Sequence, residues 1–290
     1  MESLENLRVR IKMKVGFHVS IAESIDQAVD TAVAMECNVF QIFTRNPRGW
    51  SFQPLKPEEV AKFRNKVKEY EIDPVFDHMP YLPNLASARN EIYLRSGASL
   101  RAELNRCSEL GIPFLVTHLG SHLGAGKTAG LKRIVGAINS AFNEAKDDVI
   151  ILLENTAGTK NSMGASFEDM RRVIDGVEDQ QRIGVCFDTC HGFAAGYDLR
   201  DEEAVSRVIG LLDDVLGWKR LKLIHLNDSK GDLRSRIDRH EHIGLGKIGE
   251  KGFRSILHSD FGKLPLIMET PLDERRNDFD NLQKVRELAE

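Results

Sequence analysis

Short apolar runs alternate with helical patterns along most of the 290-residue chain. Their starts lie roughly 25 to 45 residues apart, which leaves room for a helix between most of them. A strand followed by a helix, repeated in this way, predicts parallel pairing, and eight such units favour a single closed (β/α)8 TIM barrel over an open sheet. The eight predicted strands cover residues 14–19, 39–43, 74–78, 114–118, 149–154, 183–188, 221–226 and 265–269.

The predicted helices have recognisable apolar faces and start signals. Apolar residues recur at helical spacing from Ile21 to Val33 and again from Leu131 to Phe142. Pro57 is typical of the first turn of a helix, and Ser166 followed by Asp169 resembles a capping box.

Composition is that of a globular chain with a sizeable core, at 41% hydrophobic and 29% charged residues. No composition break marks a second domain, so residues 13–290 are predicted to form one catalytic barrel domain. Residues 1–12 mix charges and short apolar side chains without a period, which predicts an N-terminal extension and not a signal peptide. The sequence contains no run of about 18 apolar residues, so no membrane span is predicted.

The cysteine count and the net charge bear on the cellular location and on possible partners. Four cysteines are too few for a disulfide scaffold, and Cys186 and Cys190 are interpreted as core thiols, so a reducing, cytoplasmic location is expected. The net charge of -4 is unusual for a DNA-binding protein. Three bound divalent ions would change it to roughly +2, so the charge does not exclude a nucleic-acid partner.

Most predicted strands end in a side chain that can bind a metal. Barrel enzymes keep their sites at the carboxyl ends of the strands, and histidine and carboxylate residues are not favoured within strands. Three further candidates lie just beyond strand ends: His191, three residues past Asp188, and Asp238 and His240 in the long loop after the seventh strand. Six of the eight runs carry a candidate at or next to the carboxyl end: His78, His118, Glu154, Asp188, His225 and Glu269.

The candidates are all nitrogen and oxygen ligands, which suit Zn²⁺ or, at part of the site, Mn²⁺. Nine such ligands are too many for one tetrahedral ion, and they suffice for two or three ions if one carboxylate bridges. The sequence therefore predicts a multinuclear metal site at the carboxyl-terminal face of the barrel.

Several motifs resemble those of the endonuclease IV family of zinc-dependent abasic-site nucleases. The likeness runs in order from about residue 13 to the C-terminus. The motifs are Gly16-Phe-His-Val-Ser20, Thr117-His118-Leu-Gly-Ser-His122, Leu153-Glu154-Asn-Thr-Ala-Gly158, Cys186-Phe-Asp188-Thr-Cys-His191, His225-Leu-Asn-Asp-Ser-Lys230, Asp238-Arg-His-Glu-His-Ile-Gly244 and Glu269-Thr-Pro271.

The resemblance implies a barrel that holds three zinc ions and cuts the DNA backbone 5′ of abasic sites in duplex DNA. It implies that His78 and His118 hold the first ion and that Glu154, the expected catalytic residue, bridges it to the second. Asp188, His225 and Glu269 would complete the second site, and His191, Asp238 and His240 would hold the third. The products would carry a 3′-hydroxyl and a 5′-deoxyribose phosphate, and 3′-phosphodiesterase or phosphatase activity is a secondary expectation.

The resemblance also implies that Arg48 and Tyr81 contact DNA. A monomer is expected, because a DNA-binding groove does not need the symmetry of a dimer. Gly49 stands where a longer polar side chain is expected, and Met79-Pro80 is an unusual pair before Tyr81, so the DNA wedge is expected to be smaller.

Two alternatives remain open from sequence. A sugar isomerase or epimerase barrel would use Glu154, Asp188, His225 and Glu269 with one or two metals. A non-catalytic DNA-binding barrel would hold its metals structurally, although structural zinc sites are usually closed and rich in thiolates.

Overall fold

The computed structural model describes residues 13–145 and 148–290, so the predicted extension over residues 1–12 lies outside it. Eight parallel strands form one sheet that curls into a barrel. They are β1 (Val15–Phe17), β2 (Phe40–Ile42), β3 (Val75–His78), β4 (Phe114–His118), β5 (Ile150–Glu154), β6 (Ile183–Asp188), β7 (Leu221–His225) and β10 (Leu266–Met268).

The strands follow the order β1-β10-β7-β6-β5-β4-β3-β2 around the sheet. The two ends of the sheet meet through a parallel bridge between His18 and Gln41, where the Val19 amide donates to the Gln41 carbonyl at 2.7 Å. The predicted fold class is therefore confirmed.

Helices surround the strands, and a two-stranded antiparallel ribbon of β8 (Asp228–Ser229) and β9 (His240–Glu241) follows β7. Among the described residues, no helix is long and apolar enough to cross a membrane. The helices are α1 (Gln27–Ala34), α2 (Pro57–Glu69), α3 (Asn90–Leu110), α4 (Lys127–Glu144), α5 (Phe167–Gly176), α6 (Thr189–Ala195), α7 (Glu202–Leu216), α8 (Gly249–His258) and α9 (Asp278–Ala289). Neighbouring helices pack side by side around the barrel, whereas α6 is short and lies beside β8.

Two local signals placed helix starts correctly. Pro57 opens α2, and the Ser166 hydroxyl accepts the Asp169 amide at 3.2 Å at the start of α5. The helix predicted from Ile21 begins later, at Gln27. Ser24 explains the delay, because its hydroxyl donates to Asp26 at 2.9 Å and its oxygen accepts the Gln27 amide, which makes a turn that precedes the helix.

The barrel interior is filled by one apolar layer to which seven strands contribute. At β1 the corresponding position is Gly16, where a Cβ atom would lie 1.8 Å from the Val39 carbonyl oxygen. Only glycine lets the two strands that close the barrel approach so closely. The buried layer consists of Val39, Phe76, Val116, Leu152, Cys186, Leu223 and Ile267.

Because side chains alternate along a strand, the residue two positions after each layer residue points to the same interior, one step nearer the carboxyl end. Polar side chains occupy all eight of these positions. They are His18, Gln41, His78, His118, Glu154, Asp188, His225 and Glu269.

Candidate metal centre

Glu154 lies at the centre of the polar ring and is fully buried. Its Oε2 atom is 3.2 Å from His78 Nε2 and 3.4 Å from His118 Nε2. Its Oε1 atom faces the other way and is 3.1 Å from His225 Nδ1. One carboxylate thus presents one oxygen to each of two groups of donor atoms, which is the geometry that a bridging ligand requires.

The second group of donors surrounds His225. Its Nδ1 atom lies 3.3 Å from Glu269 Oε2 and 4.0 Å from Asp188 Oδ2. Asp188 is held in place, because it accepts the Asn227 side-chain amide and the His191 backbone amide, each at 2.7 Å. The latter bond also caps α6.

A third group joins residues from α6 and from the loop that leads into β9. His191 Nε2 lies 3.1 Å from Asp238 Oδ1. His240 Nε2 lies 3.7 Å from Asp188 Oδ2 and is a buried nitrogen without a hydrogen-bond partner among the described residues. The structure therefore gathers all nine predicted metal ligands into three groups, two of which share Glu154.

Hydrogen bonds to the far side of the imidazole rings orient their free nitrogens toward these groups. His78, His191 and His240 use Nδ1 to donate to backbone carbonyls, at 2.7, 3.1 and 2.9 Å respectively. His225 instead uses Nε2 to donate to the Gln41 side-chain oxygen at 2.9 Å. When such a ring is neutral, this bond keeps its one hydrogen on the far nitrogen and leaves the other nitrogen with a lone pair for a metal.

The electrostatics of the cluster favour bound cations. Among the described residues, no lysine or arginine pairs with Glu154, Asp188, Asp238 or Glu269, and their ionic partners are all histidines. Glu154 and Asp188 are fully buried, and a buried carboxylate is costly unless an imidazolium or a metal ion supplies the opposite charge. The donor set of nitrogen and carboxylate oxygen fits zinc, so the residues present match the metal that the sequence predicts.

The pKa values reflect this close packing of imidazoles and carboxylates. Burial alone would raise the pKa of Glu154, but His118 and His225 outweigh it and hold the pKa well below the ordinary value. Burial would likewise lower the pKa of His225 and His191, but their neighbours, the carboxylates foremost for His191, raise both well above the ordinary value. Without metal, the cluster therefore holds protons on imidazoles that zinc would have to displace.

Cys190 lies near Asp188 and His240 and makes a fourth group with them. Burial raises the pKa of the Cys190 thiol to about 12, and the thiol donates to the Arg239 carbonyl at 3.6 Å. A thiol in this state is a poor ligand, since the thiolate is the form that binds metals. Cys186 belongs to the buried interior layer, as the sequence indicates.

The two predicted DNA-contacting residues lie on neighbouring loops at the rim. Tyr81 is 64% exposed, its backbone amide donates to the Pro47 carbonyl at 3.1 Å, and its ring lies 5.1 Å from that of Phe43. Arg48 lies one residue beyond Pro47 at the same rim. Met79 is buried beneath, so Tyr81 is the side chain that reaches outward at this point.

A cavity of about 430 Å³ opens between this rim and the donor groups. Its walls include ligand candidates and Tyr81, and also His18, which the sequence analysis did not single out. Gln41 was missed as well. Both stand two residues after an interior position, and that spacing is the signal that would have found them.

Comparisons with known proteins agree with the barrel fold. A family model described as a xylose isomerase-like TIM barrel matches residues 29–290. A protein of Methanoculleus marisnigri named "Probable endonuclease 4" is 59% identical over 277 residues, which cover 95% of this chain and 98% of that protein.

Among solved structures, the similarity is greater to an endonuclease IV than to a sugar epimerase barrel. Endonuclease IV from Thermus thermophilus superposes with a TM-score of 0.84 at 35% identity, covering 95% of this chain and 98% of that one. A D-tagatose 3-epimerase-like protein has a TM-score of 0.69 at 19% identity over 96% of this chain and 98% of its own, which shows the shared barrel fold alone. The chain belongs to the endonuclease IV family within the xylose isomerase-like TIM barrels.

Proposed function

We propose that this protein is a DNA repair endonuclease that hydrolyses the phosphodiester 5′ of abasic sites in duplex DNA. The products would be a 3′-hydroxyl end and a 5′-deoxyribose phosphate end, and 3′-blocked ends would be secondary substrates for phosphodiesterase or phosphatase activity. The observation that carries the proposal is Glu154, whose two oxygens face separate donor groups beside a third group. Family membership supports the same reaction class.

In this proposal three zinc ions are held as the family resemblance implies, with manganese as an alternative at part of the cluster. His78, His118 and Glu154 would hold one ion, and Glu154, Asp188, His225 and Glu269 a second. His191, Asp238 and His240 would hold the third. When bound, such ions lower the pKa of water toward about 7 and offset the charge of the phosphate.

The chain's own residues would prepare the substrate for that chemistry. Glu154 is buried and contacts four histidines, so it is fixed in position to orient the nucleophile between two sites. Arg48 and Tyr81 would enter the duplex from the rim, and the cavity would take the extruded abasic sugar. Extrusion costs least for a nucleotide that has already lost its stacking base, so no base-reading contact is needed.

A metal count tests this assignment directly. Zinc-reconstituted wild-type protein should bind close to three ions per chain, one for each donor group with the shared carboxylate counted in two. His240→Ala should lose about one ion because it removes the buried nitrogen of the third group. His258→Ala is the matched control, since His258 is exposed at the end of α8, its ring bonds the Arg254 carbonyl of the same helix, and it belongs to none of the donor groups.

One or two ions in the wild-type protein would contradict the proposal. That result would favour the sugar epimerase alternative, which uses only Glu154, Asp188, His225 and Glu269. Location in the cytoplasm and action as a monomer stay predictions.

A further inference from the structure

Two positions of the eight-membered polar ring, His18 on the β1 side and Gln41 in β2, have no role in the metal assignment. The His18 side chain is only 16% exposed, and Gln41 is fully buried. A buried polar side chain is costly unless its hydrogen bonds are made, so their partners define what they do.

Three contacts fix the orientation of the Gln41 amide. Its nitrogen lies 2.7 Å from Glu269 Oε1 and 2.9 Å from His18 Nδ1, and its oxygen lies 2.9 Å from His225 Nε2. A carboxylate only accepts hydrogen bonds, so the amide nitrogen and not its oxygen must face Glu269. The oxygen then accepts the Nε2 hydrogen of His225, which leaves His225 Nδ1 free toward the metal groups.

The same orientation determines the tautomer of His18. His18 Nδ1 has two neighbours, the Gln41 amide nitrogen at 2.9 Å and Glu269 Oε1 at 3.5 Å. The nearer one can only donate, so Nδ1 accepts from Gln41, and the ring hydrogen of the neutral imidazole is on Nε2. That Nε2 atom is buried and has no hydrogen-bond partner among the described residues. It is therefore a donor without an acceptor, in a side chain that lines the cavity, and a substrate oxygen reaches it only if the surrounding side chains give way when substrate enters.

His18 stands between the metal groups and the DNA-facing rim. Its ring centroid is 6.5 Å from that of His78 and 4.2 Å from that of Phe43, and Phe43 in turn packs against Tyr81. An anionic oxygen brought to the metal groups from the rim side would come close to His18. The contact with Phe43 and the bond to Gln41 hold the donor in place before the substrate arrives.

We propose that His18 donates its Nε2 hydrogen to a non-bridging oxygen of the phosphodiester that is cut, and that Gln41 is the positioning residue that sets the tautomers of His18 and His225. This rests on the proposed endonuclease function. The hydrogen bond from His18 should mainly increase kcat, because charge on the phosphate oxygens redistributes in the transition state.

Two amide variants separate substrate contact from a merely structural role. In His18→Gln the side-chain amide nitrogen can reach the place of Nε2, which keeps a donor in the cavity. In His18→Asn the shorter amide reaches only the place of Nδ1, which keeps a neighbour for Gln41 but removes the donor. Both are compared with wild type for zinc content and for steady-state incision of a duplex with one abasic analogue.

We expect wild-type zinc content in both variants and a loss in kcat of roughly 100-fold in His18→Asn, with KM little changed. His18→Gln should recover a clear part of that loss. Equal or lower kcat in His18→Gln than in His18→Asn would overturn the proposal, as would loss of zinc from either variant, which would make His18 a support of the metal groups. Wild-type protein that does not incise at all would overturn the proposed function and, with it, the donation by His18, whereas the role of Gln41 is tested separately.

That separate readout does not use activity. In zinc-loaded protein with ¹⁵N-labelled histidines, the His18 signals, assigned by their absence in His18→Gln, should show hydrogen on Nε2 and none on Nδ1. Gln41→Met, which removes the amide at nearly constant length, should abolish this preference. Hydrogen on Nδ1 in the wild type, or an unchanged tautomer in Gln41→Met, would overturn the assignment of Gln41.

Discussion

Replacement of Glu103 by leucine should destabilise the protein strongly, because it leaves the Arg45 guanidinium buried without its counter-charge. The two side chains are 0% and 3% exposed and form an ion pair between α3 and the loop after β2. Glu103 also accepts the Thr44 hydroxyl at 2.5 Å. Removing one partner of a buried pair typically costs about 3–5 kcal/mol. At about 2 °C of melting temperature per kcal/mol for a chain of this size, the midpoint should fall by roughly 6–10 °C.

The function of this ion pair is expected to be positional. Arg45 donates to the carbonyls of Gly49 and Trp50 at 3.3 and 3.2 Å, so it holds the turn that carries Arg48. Arg45→Met combined with Glu103→Leu removes both charges and should return stability to within about 1 kcal/mol of wild type. The turn is then no longer held, so KM for abasic duplex should rise roughly tenfold with kcat retained, since ordering the turn is deferred to DNA binding.

Urea unfolding and steady-state incision measure the two effects on the same variants. Glu203→Leu is the control, because Glu203 pairs with Arg207 on the exposed face of α7 and its loss should matter little. A cost below about 1 kcal/mol for Glu103→Leu would refute the energetic reasoning. A stable double variant with wild-type KM would refute the positional role.

Three further outcomes are expected. Glu154→Gln should abolish single-turnover incision while keeping part of the affinity for abasic duplex in an anisotropy assay, and near-native turnover would exclude Glu154 as the residue that orients the nucleophile. Arg48→Ala should raise KM roughly tenfold at unchanged zinc content, whereas the remote control Arg207→Ala should not; equal KM values would remove Arg48 from the DNA interface. Zinc binding to metal-free protein at pH 7 should release protons, because the pKa values of His191 and His225 are raised well above the ordinary value and both must be neutral to bind; release should diminish as pH rises through those values. Calorimetry in buffers of different ionisation enthalpy measures the release, and a buffer-independent enthalpy would speak against it.

The barrel and the six ligand candidates at strand ends could be predicted because each strand leaves a local signature. An apolar run that ends in His118 or Glu154 is readable without any knowledge of what packs against it. Three strands were predicted too long, since β1, β2 and β10 have only three residues each. Beyond the end of β1 the chain pairs only through a single-residue bridge, between His18 and Gln41.

What the sequence could not reveal depends on contacts between distant segments. His18 was assigned no function because a lone histidine beside a strand is usually structural. The interior position two residues before it is Gly16, which has no apolar side chain to mark that face of the strand as interior. Arg45 and Glu103 are 58 residues apart in the chain. Nothing in the sequence around Glu103 indicates that this helical glutamate is buried. The positions of Arg48 and Tyr81 relative to bound DNA stay predictions.

The most direct test of the central claim is incision of a duplex that carries one tetrahydrofuran abasic analogue, by zinc-loaded protein with and without chelator. The analogue cannot undergo β-elimination, so any cut reports hydrolysis. We predict a single cut 5′ of the analogue that leaves a 3′-hydroxyl, is lost with chelator and returns with zinc. No incision by protein that holds its full complement of metal, or a cut that persists after the metal is removed, would contradict the account.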